Sequence, residues 1–186
     1  PGKTDDGDAP DPKKKSDPKK SPDMDPADAE AQDKSIKFVE KHGGKMKRSG
    51  KSIVEADLKF KPVTDDELKE LMGFKYLQTL DLSFTQVTDS GMRDIAALKS
   101  LTTLSLRGTK VTGATLRELA ALKNLTSLDL HVTHVNDPGL REIASIKSLT
   151  TLNIEVLSED SAEGVQDLER LLPKCKIISK WLGSKK

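Results

Sequence analysis

The sequence predicts an α/β solenoid, a stack of short units with a parallel sheet along one side and helices along the other. Three observations predict it. Four segments of 24 residues, beginning at Val63, Val87, Val111 and Val135, align with no gap. Each contains LxxLxL, ending in the strict alternation of a short strand with one buried face. Each also opens with a Val-Thr or Val-Asn turn and runs on into apolar residues at helical spacing, as at Leu68, Leu71 and Phe74. A period of roughly 20–50 residues marks stacked units, and none of these units has enough apolar surface to close a core alone. Strand followed by helix, repeated, makes the strands parallel.

The elements follow in order. Residues 1–28 hold six of the nine prolines and almost nothing apolar. Such a segment buries too little to offset its ordering entropy, so it is expected to be a disordered, mixed-charge spacer. Residues 29–62 are expected to form an N-terminal cap: a helix over 29–42, an edge strand over 45–48 and a strand over 52–60. Ile53, Ala56 and Leu58 lie one period before Leu77, Leu80 and Leu82, so this strand belongs to a first, incomplete repeat. Residues 63–158 are the four full repeats. Thr64 with Glu67 forms a capping box, and Pro138 suits a first helical turn. Residues 159–186 are an irregular last repeat and C-terminal cap. There Leu157 replaces the Thr of positions 85, 109 and 133, and the register of Val165 and Leu168 requires a one-residue insertion. LLPKCKII supplies a closing strand, Trp181 and Leu182 cover the end, and Cys175 lies against that cap.

Composition excludes several classes. Lys and Arg number 31 against 30 Asp and Glu, so no global field steers the chain toward nucleic acid or membrane. Aromatics at 3% argue against a stacking platform for bases. One cysteine forms no internal disulfide and leaves the compartment open. No apolar run approaches the roughly 18 residues of a membrane span. The opening Pro1-Gly2-Lys3 lacks Met and reads as a processed product, which favours an exported or cell-envelope protein over a cytoplasmic one.

VTDDELKEL, VTDSGMRDIAAL, VTGATLRELAAL and VNDPGLREIASI, each joined to LxxLxL, resemble the leucine-rich repeat superfamily. They are most similar to a bacterial subclass built on VTDxGLxxLAxLxxLxxLDLSxT. The resemblance spans about residues 36–178, and LLPKCKI looks like a C-terminal unit of such proteins. It implies a short curved stack, capped at both ends, that binds a protein partner along its concave sheet and has no common catalytic residue. Gly113-Ala114 and Leu157 depart from the pattern.

Strand alternation then names the concave face. It comprises Glu55, Asp57 and Lys59; Thr79, Asp81 and Ser83; Thr103, Ser105 and Arg107; Ser127, Asp129 and His131; and Thr151, Asn153 and Glu155. Its central row, Asp57, Asp81, Ser105, Asp129 and Asn153, suits a basic or hydroxyl-rich partner segment, although a plain solvated face would read the same. Phe84, Val132 and Val156, just past the strands, are either apolar contacts or repeat core. On the convex side Lys69-Glu70, Arg93-Asp94, Arg117-Glu118 and Arg141-Glu142 stack basic beside acidic. Thr85, Thr109 and Thr133 are expected to bond neighbouring backbone.

No catalytic, cofactor or metal constellation is indicated. The segment GKMKRSGKS in 44–52 has five residues between its glycines where a phosphate loop needs four, and a strand follows it. His131 and His134 fall on a strand and a turn without a third ligand. The reading is therefore a non-catalytic, monomeric interaction module for a protein partner, without specific nucleic-acid binding. The alternative is an envelope-associated structural protein whose tail and basic edge (Lys41, Lys45, Lys47, Arg48, Lys51) contact anionic polymers.

Overall fold

The computed structural model of the chain describes residues 25–156 and 162–181. The expected tail lies outside them up to residue 24, as does the irregular stretch around Leu157. Seven strands form one sheet in sequence order. β1 (Lys45–Ser49) is antiparallel to β2 (Ser52–Asp57). From β2 onward every neighbour is parallel: β3 (Thr79–Asp81), β4 (Thr103–Ser105), β5 (Ser127–Leu130), β6 (Thr151–Val156) and β7 (Lys176–Trp181). Ala56, Leu80, Leu104, Leu128 and Leu152 stand side by side in one register row, all buried. Leu152 then pairs with Ile177, one residue beyond the 24-residue period. The side chain of Trp181 and all of Leu182, the expected end cover, lie outside the description.

The side opposite the sheet departs from the uniform helices that the sequence predicts. Asp65–Gly73 is a 3₁₀ helix, Asp89–Gly91 is a 3₁₀ turn leading into α2 (Met92–Ala97), and Leu116–Ala121 is again 3₁₀. Among the described repeat segments, α3 (Asp137–Ile143) and α4 (Ala162–Leu171) are α-helical without a 3₁₀ part. The apolar spacing is common to both windings. Leu68, Leu71 and Phe74 lie three apart, as do Met92, Ile95, Leu98 and Leu116, Leu119, Leu122, and all are buried. Three residues per turn is the 3₁₀ period, but the second triplet sits on the α-helix α2, so the spacing admits either form.

Hydrogen-bonded ladders run along the stack, the first within each unit and the others from one unit to the next. The Thr85, Thr109 and Thr133 hydroxyls are buried and donate to the carbonyls of Leu82, Leu106 and Leu130 at 2.7, 2.6 and 2.6 Å. Thr102, Thr126 and Thr150 donate to the Gln78, Thr102 and Thr126 carbonyls of the preceding unit at 3.0, 3.2 and 3.1 Å. The Val-Thr-Asp column forms a third ladder. The Asp65 carboxylate accepts from the Thr88 N–H at 2.8 Å and its hydroxyl at 2.6 Å. Asp89 accepts likewise from the Thr112 N–H at 3.0 Å and the Gly113 N–H at 3.1 Å.

Helix α1 spans Pro26–Lys41, where the sequence predicts 29–42. Pro26 occupies its first turn and the Asp25 carboxylate accepts the Asp28 N–H at 2.9 Å, so this end is capped earlier. α1 covers the open end of the stack with Ile36, Phe38 and Val39. Two buried polar residues fix its position. Gln32 donates to the Lys51 carbonyl at 3.0 Å and accepts the Ile53 N–H at 2.9 Å. The Ser35 hydroxyl donates to the Glu70 carbonyl at 2.5 Å and accepts the Gly73 N–H at 3.1 Å. At the opposite end Cys175 is half-buried against the core, and burial pushes its thiol pKa up, so it stays protonated.

The Glu67 carboxylate accepts the Thr64 N–H at 3.1 Å and its hydroxyl at 3.2 Å, and its other oxygen lies 3.3 Å from His42 Nε2. The Thr64 N–H first, with its hydroxyl and His42, holds this carboxyl below the usual range. A lowered carboxylate contributes stability above its ordinary pKa and loses it as pH falls through the folded value. Glu67→Ala is therefore expected to cost about 1 kcal/mol at neutral pH. The gap between variant and parent narrows in acid below the carboxylate range, as thermal melts at the two pH values will show.

Candidate functional site

The parallel register sets the strand side chains in rows on one open face. Glu55, Thr79, Thr103, Ser127 and Thr151 form one row, and Asp57, Asp81, Ser105, Asp129 and Asn153 the next, all half-buried. Lys59, Ser83, Arg107 and His131 follow just past the strands, where the ladder continues through backbone bonds such as Leu58 N–H to Asp81 and Leu106 N–H to Asp129. Ser83 is only 2% exposed, its hydroxyl shared between the Asp81 carboxylate and the Ser105 hydroxyl, so it braces the face from within. The Glu155 side chain is outside the description.

The sheet also contributes residues that strand periodicity in the repeats did not point to. β1 places Lys45 opposite Asp57 and Lys47 opposite Glu55, the latter pair 3.9 Å apart. Residues directly opposite in an antiparallel pair share a face, so part of the basic edge is balanced by the acids beside it. At the other end Ile178, 44% exposed, continues the Asp row from Asn153.

The Asp row has a second task. Asp57 accepts the Lys59 N–H at 3.0 Å, Asp81 the Ser83 N–H at 2.8 Å and Asp129 the His131 N–H at 2.8 Å. Each bond closes an Asx turn. The residue after each turn is left-handed: Phe60 at φ 60°, Phe84 at 56° and Val132 at 58°. In the unit between, where Ser105 stands in place of Asp, the corresponding residue is Gly108 at φ 64°. A carboxylate thus accompanies the turn wherever a side chain must adopt this conformation, and glycine dispenses with it. Asp81→Lys, harmless on a purely solvated face, removes a turn clamp.

Phe60, Phe84 and Val132 are 67%, 38% and 43% exposed, which rules out repeat core for the latter two. The Phe60 and Phe84 rings stack with centroids 4.8 Å apart and planes 12° from parallel. A Cβ on Gly108 would lie 2.4 Å from the Phe84 ring, so glycine there lets the ring lie flat. Phe60 escaped the sequence reading; the signal was its place in the Gly108 column, three residues after an Asp. Val132 is β-branched and left-handed, a costly combination. Val132→Gly is expected to raise stability by about 0.5–1 kcal/mol, the relieved strain exceeding the chain entropy glycine adds. Chemical denaturation measures it, and a loss of stability would mean the side chain is held by contacts that outweigh the strain.

On the helix side Arg93, Arg117 and Arg141 each reach an acid of the following unit, Glu118, Glu142 and Asp167, at 3.9, 3.7 and 3.9 Å. These exposed pairs contribute little. Among the described residues no three His, Cys, Asp or Glu side chains are grouped to hold a metal ion, and no helix is long and apolar enough to cross a membrane.

A leucine-rich repeat family model matches residues 75–96. No curated protein matches the chain. The crystal structure of an internalin from Listeria monocytogenes is similar with a TM-score of 0.42 at 20% identity, over 61% of this chain and 31% of that one. The matched segment carries the LxxLxL strand and the turn of a single unit, and the other units repeat its columns in the same register along one parallel sheet. Residues 75–96 thus carry a leucine-rich repeat, and the chain folds as an α/β solenoid whose other units repeat that segment's columns.

Proposed function

We propose that the chain is a non-catalytic protein-interaction module, monomeric on its own, that receives a segment of a protein partner on its strand face. The supporting observation is the pair of polar rows held in register across β2 to β6, open on one side and half-buried. Strands spaced about 4.8 Å apart and three facing residues deep give a face of roughly 20 by 13 Å. That is well below the ~800 Å² per partner of a standard interface. A single extended or helical segment fits it, and a globular surface must also engage the rim. Asp57, Asp81 and Asp129 favour Lys, Arg or hydroxyl groups in that segment.

The test must remove charge without undoing the turns. Asn keeps a side-chain oxygen that accepts the same backbone N–H, so the variant is Asp57→Asn, Asp81→Asn, Asp129→Asn. In affinity capture through moderate salt, a partner held by the parent and lost by this variant supports the reading. Identical capture by both, or capture by neither, makes the strand face scaffold. Sedimentation of the free chain checks the monomer.

A further inference from the structure

We infer that the Phe60–Phe84 stack, together with the cations Lys59, Lys61 and Arg107 beside it, is a docking site for an acidic peptide segment with an apolar anchor residue. It lies past the C-terminal ends of the strands and shares Lys59 and Arg107 with the edge of the strand face, but its charge preference is opposite to that of the Asp row, so the two readings can fail separately. Both rings sit on left-handed backbone and remain exposed, so neither burial in the core nor the turn itself accounts for them. The turn is satisfied by glycine at 108. Strain kept at an exposed aromatic pair is characteristic of a contact surface, and exposed aromatics flanked by Arg are the usual anchors of protein interfaces.

Charge selects the occupant. Lys59 Nζ lies 5.1 Å from the Phe60 ring centre and the Arg107 guanidinium 5.8 Å from that of Phe84. Among the described residues Lys45, Lys59, Lys61 and Arg107 have no ion-pair partner, so their charge is available to a ligand. Lys45, Lys59, Lys61 and Phe60 line a cleft of 210 Å³ with Gly43 and Asp57, and the Asp57 carboxylate is already engaged by the Lys59 N–H. Three lysines against one carboxylate leave this aromatic-walled cleft net positive, which suits a carboxylate side chain entering beside an apolar one. A long anionic polymer is disfavoured, because Asp81 and Asp129 stand on the adjacent strands and repel a continuous negative charge.

The test uses the full chain immobilised against a displayed library of random peptides in moderate salt. Enrichment of sequences that join Asp or Glu to Phe, Tyr, Trp or Leu is expected. A selected peptide, measured by fluorescence anisotropy, should bind at least about tenfold more weakly to Phe84→Asn. The variant Lys59→Gln, Lys61→Gln should weaken it as well and flatten its salt dependence. Asn tolerates the left-handed conformation, so the turn persists in Phe84→Asn; the lysine pair gives an independent reading if that variant melts early. Asp81→Asn, Asp129→Asn should leave this binding unchanged, which separates the site from the strand face. Selection of basic or uncharged peptides, or affinity indifferent to both variants, overturns the proposal. So does self-association of the chain that Phe84→Asn abolishes, which would make the stack an interface between copies.

Discussion

Leu104→Ala lowers the unfolding free energy by about 2–5 kcal/mol, the range for truncating a buried leucine. Leu104 is 1% exposed on β4, an inner strand of the parallel set, and is paired in register with Leu80 and Leu128. Neither neighbour can close the void without leaving its own row, since both are fixed by the strands on their far sides. Position in the stack adds to the effect. A solenoid is held by nearest-neighbour interfaces, and Leu104 belongs to two of them. Urea denaturation followed by far-ultraviolet dichroism gives the number. A shallower slope would show the two ends of the stack melting apart. A loss under about 0.5 kcal/mol at this site would contradict the register.

Gly73→Ala should separate helix α1 from the stack, at about 1–3 kcal/mol or more. A Cβ there would stand 2.0 Å from the Ala31 carbonyl oxygen and 2.5 Å from Ser35 Oγ. The first is backbone of α1 and cannot rotate aside, so the helix must withdraw. Withdrawal breaks the Ser35 bonds to Glu70 and Gly73 and strains the Lys75–Asp28 ion pair, and it opens the contacts of Ile36 and Val39. Hydrogen exchange distinguishes this from general destabilisation. Amides of α1 lose protection while those of β4 and β5 keep theirs. Unchanged protection in α1 would show that the helix is not docked through this contact.

The apolar columns made the fold legible. Leu80, Leu104 and Leu128 recur at one period, and a period-two strand offers one way to bury them. The winding of the opposite side was less so, because Leu68, Leu71 and Phe74 satisfy an α-helix and a 3₁₀ helix nearly alike over two turns. Both occur at that spacing, 3₁₀ over Asp65–Gly73 and Leu116–Ala121 and α over Met92–Ala97. The strand face could be drawn from alternation alone, and its residues lie in the expected rows. What alternation does not carry is backbone handedness. Phe60, Phe84 and Val132 are poor candidates for positive φ by residue type, and Gly108 alone hints at the conformation their column shares. The Asp residues three positions earlier read as surface charge, whereas each holds a turn. β1 was expected only as an edge, so the two lysines it adds to the face followed from pairing that the repeat pattern does not contain.

The Asp65–Thr88 and Asp89–Thr112 clamps point one way along the chain, from the first and second units to their successors. A unit duplicated in tandem therefore arrives already equipped to receive the copy behind it, and an array of this kind can lengthen by copying without any new residue having to arise. The unit that begins at Val111 departs from this. It carries Gly113 where the clamp belongs, and its backbone instead approaches Gly139 so closely that a Cβ on Gly113 would lie 2.6 Å from the Gly139 Cα. At that junction the successor must carry glycine at the position of Gly139, so a copy of the Val111 unit itself, with Thr115 there, cannot follow directly.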